Sequence, residues 1–323
     1  MDVIEKLRQT VDHCDDARWW RRIALPFLYE KAVLKPYYRY VHGHTGSRVM
    51  FEDWDNLLIL DACRFDVFHE SLTESTLSGT LTRKRSLGSN TPEFLRRNFD
   101  GRTFRDTVYV TANPQVNVHT DDTFHAVVNV WESDWDESHN TVHPREMVRK
   151  TLETRATYPN KRIIAHFIQP HYPFIGEFGQ EAIEQQAGIE LSRRMATGEM
   201  AESDHWNVWD MLKQGYLRED VVRTAYRENL EITLPHVETL QSSLNGKTVV
   251  TSDHGNLFGE RIGPLGVPVY GHPEGIYATD LVTVPWLELD YSQRRDVTSG
   301  TSSERRSESN DRVMERLEQL GYR

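Results

Sequence analysis

The stretch Thr248-Val-Val-Thr-Ser-Asp-His-Gly255 decides the fold. A short β-prone run is followed at once by an acid, an imidazole and a glycine. Such a run reads as a buried strand whose carboxyl end delivers polar side chains, and open α/β sheets carry their sites at that edge. Asn245-Gly246, just upstream, marks the stop of a preceding helix. The local order is therefore helix, turn, strand, polar pair.

The same order recurs along the chain. Asn56-Leu-Leu-Ile-Leu-Asp61 is an apolar run that ends in a carboxylate. Arg162-Ile-Ile-Ala-His-Phe-Ile-Gln-Pro-His171 ends in an imidazole held between Pro170 and Pro173, whose rings restrict the backbone. Thr107 to Thr111 and Phe124 to Trp131 are further strand candidates, and Leu281 to Leu289 is a last one. Helices are expected from Pro144 to Arg155 and from Arg218 to Leu244, with Pro235 bending or splitting the second. The stretch Gly255 to Gly275 reads as a Gly/Pro-rich loop carrying His272. This alternation predicts an α/β fold.

Composition narrows the class. A chain of 323 residues can bury a substantial core. Its net charge of −11 disfavours a general nucleic-acid binder, which needs a clustered basic surface. Cys14 and Cys63 make no disulfide framework, no apolar run approaches the roughly 20 residues of a membrane span, and Met1 to Lys6 lacks the pattern of a signal peptide. The expected compartment is cytoplasmic. Trp19 and Trp20 among Arg18, Arg21 and Arg22 give residues 15–30 the character of a peripheral membrane contact, although a helix packed on the domain explains them as well. Residues 1–50 are expected as a helical segment, 51–290 as a catalytic domain with a lid insertion at 176–218, and 291–323 as a polar linker and terminal helix.

The chemistry follows from the strand ends. Asp61, Asp253 and His254, with a hydroxyl from Thr91, make a reasonable divalent-metal set. Thr91-Pro-Glu is a helix start, with Thr91 as its cap, and a hydroxyl there is well placed to become an alkoxide. In this reading Thr91 attacks the phosphorus or sulfur of an anionic ester and forms a covalent intermediate, while Arg64, His171 and His272 hold the non-bridging oxygens. Ser89 is the alternative nucleophile. Trp131, Trp135, Asp136 and Glu137 are candidates for a pocket lining, with aromatic packing the stronger reading for the tryptophans. His42-Gly-His44 is a weaker metal hint.

These motifs resemble the alkaline phosphatase superfamily on its sulfatase-like branch. The resemblance rests on Ser252-Asp-His-Gly255, Asp61 after the first strand, Gln169-Pro-His171-Tyr-Pro-Phe174 and Val284-Pro-Trp286, and it spans roughly residues 54–290. It implies a three-layer α/β/α fold with a mixed, mostly parallel sheet. It also implies one metal held by Asp61, Thr91, Asp253 and His254, with His171 and His272 facing the substrate or a second metal. Cys63 lies in the first metal motif, in Cys-Arg-Phe-Asp, and no cysteine stands near Ser86 to Phe94, so formylglycine chemistry is not expected. The branch members with a threonine nucleophile act on phosphoesters, and an Asp-His pair favours Mn²⁺ or Zn²⁺ over Mg²⁺ or Ca²⁺. The function expected is a metal-dependent hydrolase or transferase of a phosphate or sulfate ester, with a glycan or glycolipid among the substrate candidates. The rivals are a sulfuric-ester hydrolase without formylglycine and a non-catalytic binder of an anionic glycan or headgroup.

Overall fold

Alternate residues of the first strand, β1 (Asn56–Leu60), point into two different hydrophobic cores, and this splits the molecule into layers. In the computed structural model, which describes residue 17 and residues 20–186, 207–300 and 310–322, Leu58 and Leu60 face one core while Leu57 and Ile59 face the other. All five residues of β1 are buried, as expected of a strand covered on both faces.

The strands in chain order are β1, β2 (Gly79–Arg85), β3 (Phe104–Thr111), β4 (Phe124–Asn129), β5 (Trp135–Asp136), β6 (Thr141–Val142), β7 (Arg162–Phe167), β8 (Thr248–Thr251), β9 (Leu257–Ile262), β10 (Val267–Gly271) and β11 (Thr283–Leu289). Seven of them form one sheet in the order β2-β11-β8-β1-β7-β3-β4. β1 pairs in parallel with both β7 and β8, and β3 with both β7 and β4, whereas β11 runs antiparallel to its neighbours β8 and β2. This is a three-layer α/β/α fold with a mixed, mostly parallel sheet. β1 is flanked by two strands that come much later in the chain, and its carboxyl end lies at the edge where open α/β sheets carry their sites.

The principal helices are α1 (Phe65–Leu72), α2 (Thr91–Phe99), α3 (Pro144–Thr157), α4 (Val208–Gln214), α5 (Glu219–Ser243) and α6 (Asn310–Gln319). α5 buries Val222, Ala225, Tyr226, Asn229, Leu230, Thr233, Leu234, Val237 and Leu240, a stripe at three- and four-residue spacing that lies over the sheet. Val67 and Phe68 of α1 and Met147 and Val148 of α3 join the same core. Phe94, Leu95 and Phe99 of α2 cover the opposite face with Val116.

Three local expectations change. α5 runs through Pro235 as one helix, because Pro235 and Glu231, whose carbonyl loses its partner, both lie on the exposed side where water can replace the bond. The stretch after Gly255 is a β9–β10 hairpin rather than a loop. Val267 and Val269 of that hairpin and Leu257 pack with Tyr29, Leu34 and Tyr38 of the N-terminal helical run in a third core, so the run is fastened to the domain. The last strand starts at Thr283, since Thr279–Val282 is helical. At the opposite end of the sheet, Arg294 bonds both carboxylate oxygens of buried Asp55 at 2.7 and 3.0 Å, within the stretch read from sequence as a polar linker. Much of the expected lid, including His205 and Trp206, and Arg18 and Trp19 of the membrane-contact segment lie outside the described residues.

Candidate active site

Four side chains from three separated stretches meet at the carboxyl edge of the sheet. Asp61 follows β1, Asp253 and His254 follow β8, and Thr91 opens α2; all four are fully buried. Thr91 Oγ1 donates to Asp253 Oδ2 at 2.7 Å and lies 3.2 Å from His254 Nε2 and 3.5 Å from both oxygens of Asp61. His254 Nε2 is 3.6 Å from Asp61 Oδ1 and 3.4 Å from Asp253 Oδ2.

The backbone explains why these side chains converge. Ala62 adopts a left-handed φ of 56°, which costs a non-glycine residue about 1–2 kcal/mol. The bend points the Ala62 amide at Asp253 Oδ1, 3.0 Å away, while Tyr226 of α5 donates to the Ala62 carbonyl at 2.6 Å. Ser252 accepts from the Cys63 amide at 2.8 Å and donates to the His254 carbonyl at 2.5 Å, tying the two strand ends together. Gly255 is needed because a Cβ there would sit 2.0 Å from the Asp280 carbonyl oxygen.

The start of α2 departs from expectation in a way that frees the nucleophile candidate. The cap is Asn90, whose side chain accepts from the Glu93 amide at 2.9 Å, and not Thr91. Asn90 has the extended backbone a cap requires, while Thr91 is the first helical residue. The Thr91 hydroxyl is therefore released from capping and turned toward the carboxylates, at the positive end of the helix dipole. Gly88 lets this turn close, since a Cβ there would meet the Phe94 amide nitrogen at 2.3 Å.

Ser89 and Arg64 stand apart from this centre. Ser89 Oγ donates to Glu93 Oε2 at 2.8 Å and accepts from the Gly275 amide at 2.9 Å, so it serves the loop. Arg64, expected to hold ester oxygens, instead bonds Asp66 through two nitrogens, reaches Glu260 at 2.6 Å, and lies 3.6 Å from Asp280. Three carboxylates around one guanidinium leave little charge for a substrate. His171 and His272 do border the centre. Their Nε2 atoms are 2.9 Å apart, and the His272 ring lies 4.9 Å from that of His254. Asn229 of α5 holds the His171 turn by donating to the carbonyls of Pro170, His171 and Pro173 at 3.0–3.3 Å. His42 and His44 make no common site: one contacts the Gly43 carbonyl, and the other stacks on Tyr277.

Three residues at the centre were not anticipated. His166, inside β7, is fully buried; its Nδ1 meets Tyr109 at 2.9 Å, and its Nε2 faces Asp61 and Asp253 at 3.8 Å with no hydrogen-bond partner. A histidine interrupting an apolar strand was the available signal. Asn113, just past β3, donates to Asp61 Oδ2 at 2.7 Å. The strand-end rule that selected Asp61 would have selected it too. Tyr322 has no such signal. Its hydroxyl lies 2.9 Å from Thr91 Oγ1 and donates to Asp61 Oδ2 at 3.3 Å, and its ring stacks on His171 at 5.7 Å and 6°.

The electrostatics are those of a site built for a cation. Burial and the neighbouring Asp253 charge push the Asp61 carboxyl well above its usual range. Burial pushes Asp253 in the same direction, but His254, His166 and the Ala62 amide outweigh it and hold Asp253 low. Burial lowers His166 and His171 to about 4 and takes His272 well below its usual value, so these imidazoles are neutral near pH 7 with lone pairs available. Two buried carboxylates, an orphaned imidazole nitrogen and a hydroxyl fit a divalent ion. The distances of 2.7–3.6 Å among Thr91, His254 and the carboxylate oxygens bracket the roughly 3.3 Å separating ligands bound at 2.0–2.1 Å in a tetrahedron.

No family model and no curated protein matches the sequence. Solved structures with similar backbones include the integral membrane lipooligosaccharide phosphoethanolamine transferase A (EptA) of Neisseria meningitidis, at 12% identity and a TM-score of 0.43, over 72% of this chain and 47% of that one. The present chain thus spans about half the length of the Neisseria protein. The C-terminal periplasmic domain of phosphoethanolamine transferase EptC from Campylobacter jejuni matches at 14% identity and a TM-score of 0.45, over 72% and 77% of the two chains. A Vibrio parahaemolyticus protein of the alkaline phosphatase superfamily matches at 9% identity and 0.36, over 75% and 61%. The cytoplasmic location expected above is withdrawn, because the EptC structures are described as periplasmic domains. Its basis was also weak: Cys63 is buried and unpaired, as a thiol in any compartment can be. Among the described residues no helix is long and apolar enough to cross a membrane.

Proposed function

We propose that the protein is a metal-dependent phosphoester hydrolase or transferase with Thr91 as its nucleophile. One observation carries the reading: the buried Thr91 hydroxyl donates to Asp253 within a ring of two carboxylates and one imidazole, at the start of a helix. An uncharged hydroxyl needs no such surroundings for stability. A hydroxyl that donates to a carboxylate is oriented to lose its proton once a cation offsets the charge of the carboxylates.

Asp61, Asp253, His254 and the Thr91 oxygen are the residues that would hold a divalent ion, with Zn²⁺ or Mn²⁺ suited to the mixed oxygen and nitrogen donors. When bound, such an ion lowers the hydroxyl pKa and screens negative charge on the ester. The chain supplies the rest. Asp253 accepts the hydrogen bond that orients Thr91 Oγ1. Asn113 and the Ala62 amide fix the rotamers of Asp61 and Asp253. His171 Nδ1 donates to the Tyr172 carbonyl, so its Nε2 accepts, and the Nε2–H of neutral His272, 2.9 Å away, is the donor available to an ester oxygen. Attack by Thr91 Oγ1 on phosphorus, its proton passing to Asp253 Oδ2, would break the bond to the leaving oxygen, which departs as an anion and takes a proton from solvent, and would leave a phospho-threonyl ester that water or an acceptor alcohol resolves.

The test is turnover of an aryl phosphate, an aryl phosphodiester and an aryl sulfate by protein reconstituted with Zn²⁺ or Mn²⁺. Mass spectrometry of acid-quenched enzyme is expected to find the adduct on the peptide carrying Thr91. Faster turnover of the sulfate would favour the sulfuric-ester reading. Absence of turnover on all three with either metal, together with ligand binding unaffected in Thr91→Ala, would favour a binding protein.

A further inference from the structure

A second cluster of donor atoms lies away from the centre, on the β5–β6 hairpin. β5 and β6 pair antiparallel, with Trp135 opposite Val142 and Asp136 opposite Thr141, so only residues 137–140 form the turn. Asn140 takes a left-handed φ of 50°, which closes the turn tightly. As a result Asp136, His139 and His143 converge although they come from eight consecutive residues. Asp136 Oδ2 is 2.9 Å from His139 Nδ1 and 3.2 Å from His143 Nε2, and the two ring nitrogens are 3.3 Å apart.

The Ser138 hydroxyl and amide both donate to Asp136 Oδ1, at 2.6 and 2.8 Å, which holds that carboxylate with Oδ2 toward His139 Nδ1 and His143 Nε2. The two rings stand at 88° with centroids 4.9 Å apart, which aims two nitrogens at a shared point without stacking the rings. The three separations match the edges of a tetrahedron with bonds of 2.0–2.1 Å, roughly 3.3 Å each. His143 occupies the cap position of α3 yet makes no side-chain cap bond, so its ring is committed to the hairpin. The open side of the triad is a surface cavity bordered by Glu137 and Glu146.

We propose that Asp136, His139 and His143 form a second metal site, distinct from the buried centre, that binds a Zn²⁺-type ion with solvent in the fourth position. Two imidazoles and one carboxylate select a borderline ion of the Zn²⁺, Ni²⁺ or Cu²⁺ kind over Mg²⁺ or Ca²⁺. The site has a structural neighbour that gives it a consequence. Arg316 of α6 bonds Glu137 through two nitrogens and covers the Trp135 ring at 4.7 Å, and α6 leads directly to Tyr322 in the buried centre. An ion that cross-links both ends of the turn therefore stiffens the platform on which the C-terminal helix rests.

The experiment counts Zn²⁺ on the full chain after chelation, desalting and titration, using elemental analysis of protein freed from excess ion. Wild type is expected to retain two equivalents, and the double variant His139→Ala/His143→Ala and the single variant Asp136→Asn one each, with far-ultraviolet circular dichroism unchanged. Asp61→Asn is expected to lose the other equivalent, and Co²⁺ bound to that variant should give the visible spectrum of a low-coordinate site with imidazole ligands. If the hairpin variants keep the wild-type equivalents, the proposal is overturned. If Asp61→Asn leaves the count unchanged while the hairpin variants lower it by one, the buried-centre reading fails and this one stands.

Discussion

The buried centre and the hairpin triad use nearly the same donor atoms, and they are assembled in opposite ways. Asp61, Thr91, Asp253 and His254 come from positions up to 193 residues apart and are fully buried, with Asp61 raised by burial and by the charge of Asp253. Asp136, His139 and His143 come from one turn and remain partly exposed, where water shares the cost of gathering them. The centre thus stores electrostatic strain that a cation would relieve, which suits it to activate a bound hydroxyl. The hairpin stores little, which suits it to hold an ion for structure. Proximity of ligands is the same in both; desolvation separates them.

This contrast can be broken or sharpened by experiment. The largest effect is expected for Thr91→Ala, which should lower kcat on an aryl phosphate by about 10³-fold or more even with the metal supplied in excess. Activity within tenfold of wild type would remove Thr91 from the chemistry.

Asp61→Asn should next abolish ion retention at the centre and, in chelated protein, raise the urea midpoint. The sign follows from linkage: a carboxyl raised in the folded state is ionised more easily when unfolded, so at neutral pH its charge weakens the fold. A lowered midpoint in the chelated variant would show that the two carboxylates are not in conflict. The hairpin variants, by contrast, should leave the chelated midpoint almost unmoved.

A third expectation concerns acid. His166 and His171 titrate near 4 when folded and near 6.5 when unfolded, so between those values the unfolded chain binds more protons and stability falls as pH is lowered. Asp61 acts in the opposite direction over the same window, so the clean measurement is made in chelated Asp61→Asn. There, moving from pH 7 to pH 5 should cost on the order of 1–2 kcal/mol per histidine, and His166→Asn should remove one share. A flat profile would mean that these imidazoles are not buried neutral.

The smallest effect is expected for Tyr322→Ala. The tyrosine covers Thr91 and stacks on His171, so its removal should raise kcat/KM for a small aryl ester several-fold. A drop instead would make the tyrosine part of the binding site rather than a cover over it.

Much of this was legible from local pattern. Asp61, Asp253 and His254 could be read because each ends an apolar run, and a buried parallel strand can place a polar side chain without penalty only at its end. Thr91 could be read because helix starts attract hydroxyls, though the cap itself proved to be Asn90, one residue earlier. The β9–β10 hairpin was hidden by its Gly and Pro content, and Pro235 was read as a bend or a split because exposure of its turn cannot be inferred from one residue. Arg64 was misread for a related reason. A cation beside a site motif looks available until its partners are known, and Glu260 and Asp280 lie about 200 residues away.

By itself the sequence determined the α/β alternation and which polar residues end its apolar runs, because strand length, apolar runs and terminal polar residues are short-range properties. Only the tertiary structure decided which of those residues meet. It placed Tyr322 on Thr91, turned Arg64 toward three carboxylates, left His166 facing Asp61 and Asp253, and folded Asp136, His139 and His143 together. Desolvation and hydrogen-bond partnership are set by neighbours in space. No window of sequence contains them.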